Sequence, residues 1–387
     1  MGALVLQFSM GLVYVWGALT PYVRAHDHWS PLLIGAVWAG SPVGYSIGMV
    51  VAGRLADRLP PRRICWAGLA FMGFGLAVAL TLPSGLTFPV FYTGIGLGMG
   101  GGIGMAGSVA AATQAFPRRV GTVGGAVTAS YALAALVQVP VASSLAPALG
   151  WVGALRVLGA VLVLLAAAAL AWMPALPVPH RPADAPLPEA PLRMFLRPLI
   201  LTGFLVEVCT GPVGSDAFVN IVTYARGIGI PQLLATSGLL AASAGNAVGR
   251  LFGGAAADRF GVDRVLAVVL GANLVAALLL WQLSAPLLLV AAAAAGIGFG
   301  GAAGVLSRLA AQAAPEAPNS AFGLLFPGYS IGSLIGPLVG AVIGIAPAGW
   351  LAMGGFPAAG LLVLAYRASK QKGHRPQAAP LVHGPKA

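Results

Sequence analysis

The sequence predicts an all-α integral membrane protein in which twelve transmembrane helices form two six-helix pseudo-repeats. Three observations point to this class. First, 58% of the 387 residues are hydrophobic and 8% are charged, whereas a soluble globular domain carries about 25% charged residues. With a mean hydropathy of +0.90 the chain cannot coat a water-facing surface, so the bilayer must solvate most of it. Second, the apolar residues fall into runs close to the roughly 20 residues that a helix needs to cross the hydrocarbon core. Third, landmarks of the first half recur in the second at a nearly constant spacing.

In chain order the spans are expected at 3–24, 31–53, 63–83, 86–115, 121–146, 151–173, 197–222, 231–254, 264–283, 286–312, 320–346 and 350–367. The first is apolar from its start, with no basic leader and no small-residue cleavage site, and reads as a span rather than a removed signal. Spans 2 and 3 flank the charged turn GRLADRLPPRR, and spans 4 and 5 flank FPRRV. Span 6 opens at Gly150-Trp151 and runs into the Pro-rich stretch MPALPVPHRPADAPLPEAP, a linker biased toward extended backbone. Spans 8 and 9 flank a second charged turn, GAAADRFGVDR, and span 12 opens at Gly349-Trp350. This gives a first half at 1–175, a linker at 176–194, a second half at 195–367 and a disordered tail at 368–387. The 55 glycines and 30 prolines suit membrane helices, where small residues permit close approach and neighbouring helices re-satisfy freed backbone groups.

The net charge of +12 is a topology signal and not a nucleic-acid footprint. With the N-terminus inside, sixteen of the 21 Lys and Arg residues fall in connections or the tail on the cytoplasmic side, and only Arg24 and Arg226 on the other. That asymmetry places both termini in the cytoplasm and the chain in a cell inner membrane. Cys65 and Cys209 lie in separate spans with no metal or redox spacing, and all five histidines fall in connections or the tail. No metal site, cofactor or nucleophile–base pair is expected, so the chain does not read as an enzyme.

The halves repeat. Gly53-x3-Asp57-Arg58 recurs as Gly254-x3-Asp258-Arg259 at an offset of 201, Gly94–Gly98 as Gly296–Gly300 at 202, and Gly150-Trp151 as Gly349-Trp350 at 199. An even number of spans per half makes the repeats parallel about an axis along the membrane normal, which is the arrangement of a carrier whose halves rock. The Gly-rich runs lie inside spans and follow no strand, so they are packing surfaces and not dinucleotide loops.

The turns resemble the signature of the major facilitator superfamily, G-x-x-x-D-R-x-G-R-[RK] between spans 2 and 3 with an echo between spans 8 and 9. In the first copy Leu59-Pro60-Pro61 stands where the pattern has a glycine turn. Within that superfamily, GLVYVWGALTPY, FPRRVGTVGG and NAVGRLFGGAAADRFG are similar to the oxalate/formate antiporter and monocarboxylate transporter group. The resemblance implies that Arg250, in mid-span 8, binds a substrate carboxylate. In the animal monocarboxylate carriers an aspartate precedes that arginine by four residues, where this chain has Asn246. In the oxalate exchanger a span-11 lysine meets the second carboxylate, and the alignment puts Tyr329 there. Loss of that cation points to a monocarboxylate of the lactate, pyruvate or formate kind over a dianion.

The residues themselves support an anion site. Arg250 lies eight residues before Asp258, about 12 Å from the turn at 1.5 Å per residue. An arginine at a helix centre costs about 2.5–3.5 kcal/mol on insertion scales, so it faces a cavity or a partner. Its planar fork matches a carboxylate and never deprotonates; the alternative is a structural ion pair. Asn246 lies one turn away on the same face and either meets substrate, holds the guanidinium or packs. Tyr14 and Tyr329 are candidate hydroxyl donors, or packing residues. Glu207 and Asp216 are the acids inside spans. Glu207 is a candidate protonation switch or a standing partner of Arg250; Asp216 is assigned with it to proton coupling and is expected at the entrance. Gly53, Asp57, Arg58, Gly254, Asp258 and Arg259 are assigned to gating, with Asp57 pairing to a basic residue or the positive end of a helix. Arg308 either snorkels to the inner face or contacts the gate.

The sequence reading is a monomeric alternating-access carrier. Its partners are a small carboxylate, a proton or counter-anion, and the lipid bilayer. An oxalate-type exchanger and a drug or cation exporter of the same fold remain as alternatives, the second opposed by Arg250.

Overall fold

The computed structural model describes residues 1–176, 189–343 and 347–373, and every regular element among them is helical. The first helices are α1 (Gly2–Arg24, tightening to a 3₁₀ turn at Gly11–Tyr14), α2 (Pro31–Ala56), α3 (Pro61–Thr81) and α4 (Thr87–Ala115, π-helical over Val90–Met99). Then come α5 (120–149) and α6 (151–171), which share one continuous path over Val120–Ala171. The second set is α7 (Pro198–Gly227), α8 (Gln232–Phe260), α9 (Val262–Trp281), α10 (Leu288–Ala313), α11 (Pro318–Ile343) and α12 (Pro347–Gly373).

Among the described residues ten helices are long and apolar enough to cross a membrane. Two facts reconcile that number with twelve crossings. The stretch Pro117–Ala171 is 55 residues long, twice what one crossing needs, and it reverses at Gly150 (φ 68°, ψ 169°), a conformation that glycine reaches without a side-chain clash. One glycine makes the turn from α5 to α6, at the Gly150-Trp151 boundary expected for span 6. The remaining crossing is α8, which carries Asn246, Arg250, Asp258 and Arg259 and is correspondingly less apolar.

Proline and glycine punctuate the bundle. Helices α2, α3, α7, α11 and α12 open on proline, whose missing N–H costs nothing in a first turn. Ser30 caps α2 by accepting from Leu33 N at 3.2 Å. On the α3 side, Arg156 Nη2 donates to Leu80 O at 2.6 Å, so this interfacial arginine satisfies a helix C-terminus. Much of the linker lies at 177–188, outside the described residues. Its end is ordered, with a short helix at Pro191–Phe195 and Arg197 paired to Glu189 at 3.1 Å and Glu316 at 2.5 Å. The expected tail begins inside α12, which runs to Gly373; residues 374–387 lie outside the described residues.

Two antiparallel seams join the first six helices to the last six: α2 against α11, and α5 against α8. These seams position the site.

Candidate functional site

At one end of the bundle each seam is closed by an aspartate. Asp57, at the end of α2, accepts from the backbone N–H groups of Asn319 (3.3 Å) and Ser320 (2.9 Å) and from both side chains, at 2.9 and 2.5 Å. These are the unsatisfied donors of the α11 N-terminus, where a negative charge is favoured. No basic residue pairs with Asp57 among the described residues, so of the two partners expected for it the helix end is the one present. Asp258, at the end of α8, accepts from Gly121 N (3.0 Å), Thr122 N (2.7 Å) and Thr122 Oγ1 (2.9 Å) at the start of α5. Arg308 stands 3.8 Å from Asp258, so it braces the clasp and does not merely snorkel. The two glycines let the backbones touch: a Cβ on Gly53 would lie 2.6 Å from Asn319 O, and one on Gly254 would overlap the Gly121 carbonyl oxygen. Arg58 and Arg259 are exposed, Arg259 lying over the Phe260 ring at 5.2 Å.

Along the α5–α8 seam, away from the clasp, stands Arg250, which is 3% exposed. Its Nε donates to Asn246 Oδ1 at 2.9 Å, its Nη2 to the Tyr329 hydroxyl at 2.9 Å and its Nη1 to Thr128 O at 3.5 Å. The guanidinium carbon is 5.8 Å from the Tyr329 ring centroid. Every acceptor is neutral. Among the described residues no carboxylate pairs with it, so the positive charge is buried without a counter-charge, which is costly unless an anion completes the site.

Arg250 faces a cavity of about 100 Å³ between the two sets of helices. Tyr14 and Tyr329 line it with Arg250, while Asn246 sits behind the guanidinium and beside Tyr14. The structure thus brings Arg250, Asn246, Tyr14 and Tyr329 together. It leaves the two membrane-embedded acids outside that constellation. Glu207 is fully buried, with neither carboxylate oxygen hydrogen-bonded among the described residues. Its Cβ packs against α11 at Gly328, next to Tyr329. The standing Glu207–Arg250 pair considered from the sequence is not formed, because the arginine's fork is already occupied by Asn246 and Tyr329. Asp216 is buried against Gly340 of α11 and accepts from Asn220 Nδ2 at 2.6 Å. It is not among the residues lining the cavity, whereas its neighbour Ser215 is.

Sequence reasoning missed Tyr45, Tyr131 and Phe326. Tyr45 stacks on Phe326 across the α2–α11 seam at 4.9 Å between centroids, and Tyr131 meets Tyr14 edge-on at 5.4 Å. One signal was available: the repeat offset of 201 sets Tyr45 opposite Asn246 and Met49 opposite Arg250.

The comparisons with known proteins agree with this architecture. The family model described as Major Facilitator Superfamily matches residues 1–244 and 214–385. A search of curated proteins finds no match. Among solved structures, FucP, a transporter of that superfamily in the outward conformation, is similar at a TM-score of 0.73 and 16% identity, over 94% of this chain and 97% of that one. A variant of the E. coli fucose:proton symporter FucP is similar at 0.71 and 16% identity, with the same coverage. At that identity the likeness shows the fold. The family match spans nearly the whole sequence, and on that basis the chain belongs to the major facilitator superfamily: it is a multi-pass membrane transporter of a small molecule, not an enzyme.

Proposed function

We propose that the protein carries a small organic monocarboxylate across the cell inner membrane by alternating access. The observation that carries this reading is Arg250: a buried cation facing a cavity, hydrogen-bonded only to neutral groups among the described residues. A carboxylate entering from the cavity neutralises it with charge-assisted hydrogen bonds, about twice as strong as neutral ones. Among the described residues Arg250 is the sole charged one lining the cavity, which favours one carboxylate over two and so disfavours an oxalate-like dianion. The likeness to FucP carries no sugar assignment.

In this reading the clasped end is cytoplasmic, because the basic connections lie there, and the structure is an outward-facing conformer. The first six and last six helices rock against each other when the clasps at Asp57 and Asp258 release. Glu207 carries the coupling proton: it is a buried carboxyl with no hydrogen-bond partner among the described residues, where an uncompensated charge is costly. Loading the site with a monoanion and a proton avoids taking an uncompensated charge through the occluded state.

The test is uptake into proteoliposomes. Labelled monocarboxylates are offered under an inward acid gradient, with oxalate and L-fucose as competitors. The expected result is accumulation that monocarboxylates inhibit and that Arg250→Gln abolishes. Uptake unchanged in Arg250→Gln, or inhibition by L-fucose and not by carboxylates, overturns the assignment.

A further inference from the structure

Eight of the fifteen residues lining the cavity are aromatic. Their rings are ordered. Tyr45 and Phe326 stack at 25°, Phe299 and Tyr329 stack at 29° with centroids 4.7 Å apart, and Tyr14 and Tyr131 stand edge to face. A ligand bound at Arg250 therefore lies among ring faces and edges, an environment that rewards a flat, polarisable body.

A second feature lies farther from the clasps. On α2, Ser41 precedes Tyr45 by one turn; on α11, Ser330 follows Phe326 by one turn. The two helices run antiparallel in a fixed register, since Gly53 meets Asn319, Met49 meets Gly323 and Tyr45 meets Phe326. Continuing that register brings Ser41 level with Ser330, about 6 Å beyond the aromatic pair at 1.5 Å per residue. Both serines are buried and line the cavity. The other two lining serines bond their own helices, Ser215 to Pro212 O and Ser333 to Tyr329 O, whereas the Ser41 and Ser330 hydroxyls make no hydrogen bond among the described residues. Buried hydroxyls are ordinarily paired, so this pair awaits an oxygen or N–H on the cargo.

The order along the cavity is a cation, a wall of rings, then two open hydroxyls. In lactate the hydroxyl is adjacent to the carboxylate and falls short of the serines. A benzene ring spaces its para substituents by about one helical turn. We propose that the preferred cargo is a flat aromatic monocarboxylate with a distal hydrogen-bonding oxygen, 4-hydroxybenzoate being the simplest case. Ser41 and Ser330 then read the distal group. This rests on Arg250 as the carboxylate anchor and narrows the substrate class of the same site.

The experiment is equilibrium binding to the purified full chain. The probes are 4-hydroxybenzoate, benzoate, cyclohexanecarboxylate, L-lactate and uncharged benzamide, each on the wild type, the Ser41→Ala/Ser330→Ala double variant and Arg250→Gln. The expected result is 4-hydroxybenzoate bound about tenfold tighter than benzoate, the worth of about one to two net hydrogen bonds, and benzoate tighter than cyclohexanecarboxylate and lactate. In the double variant the two benzoates bind alike. Lactate binding as tightly as the benzoates, or a 4-hydroxyl advantage that survives in the double variant, overturns the narrowing and leaves the anchor standing. Benzamide binding as tightly as benzoate, or benzoate unaffected by Arg250→Gln, overturns the anchor and the narrowing together.

Discussion

The α2–α11 and α5–α8 seams are built alike at the clasped end and unlike along the cavity. In both, an aspartate closing one helix binds the N-terminal amides of the other, and a glycine one turn earlier lets the backbones meet. Farther along, α8 presents Arg250 and Asn246 where α2, in repeat register, presents Met49 and Tyr45. One seam supplies the charge and the other a ring wall. In the proposed cycle the clasp acts in both halves, and the repeat keeps it twice. A carboxylate anchor is needed there once, because a second buried cation would carry a second desolvation cost with no second anion to offset it. The clasps differ in one respect: Asp258 has Arg308 beside it, while the register-equivalent stretch of α4 offers Ala106 and Gly107.

The largest expected effect tests the cavity half of this comparison. Arg250→Gln weakens carboxylate binding about 100-fold, the scale of losing hydrogen bonds to a charged group, whereas the volume-conserving Met49→Leu in the other seam changes it less than about threefold. Calorimetric titration of both variants checks the contrast. Next comes the seam itself. A Leu at Gly254 cannot fit against the Gly121 carbonyl oxygen, and overpacking of this kind costs about 1–3 kcal/mol. The clasped end then opens, and labelling by an impermeant maleimide at Thr113→Cys, which lines a space at that end, rises. A third change separates coupling from binding. Glu207→Gln loses the roughly tenfold accumulation that one pH unit drives per proton but keeps counterflow at zero gradient. In the first half, the buried Gln7 of α1, already neutral, donates to Ser108 Oγ at 3.2 Å, and Gln7→Leu leaves the pH drive intact.

The clasps give the smaller effects. Asp57→Asn removes a charge from the α11 N-terminus and shifts the conformational balance by about 1–2 kcal/mol, read as increased Thr113→Cys labelling. Arg308→Gln shifts it by less than about 1 kcal/mol, because the arginine side chain is 44% exposed and solvent-exposed ion pairs contribute little. If Arg308→Gln matches Asp57→Asn in size, the clasp at Asp258 depends on its ion pair more than on the α5 amides.

Much of the fold was legible because a bilayer permits so little else. Long apolar runs must become helices, since no water is present to satisfy an open backbone, and the duplicated Gly-x3-Asp-Arg turns announce two copies. Arg250 was legible for the same reason: in a span an arginine cannot be incidental. The joint between α5 and α6 was legible as a place, at Gly150-Trp151, but that one glycine makes the whole reversal lies in its backbone angles, which the sequence does not display. Tyr45, Tyr131 and Phe326 were missed since an aromatic in an apolar run looks the same whether it faces lipid, a neighbouring helix or a cavity.

The sequence by itself determined the class, the repeat, the two clasp aspartates and the buried cation, because each of these is a local violation of, or compliance with, what lipid allows. Only the tertiary structure decided the partners. It gave Asp57 to the α11 amides, Arg250 to Asn246 and Tyr329, and left Glu207 without a hydrogen-bond partner among the described residues. Helices of one chain can meet in many registers, and which face meets which is set by the packing of both surfaces, a pairwise property that no single stretch of sequence contains.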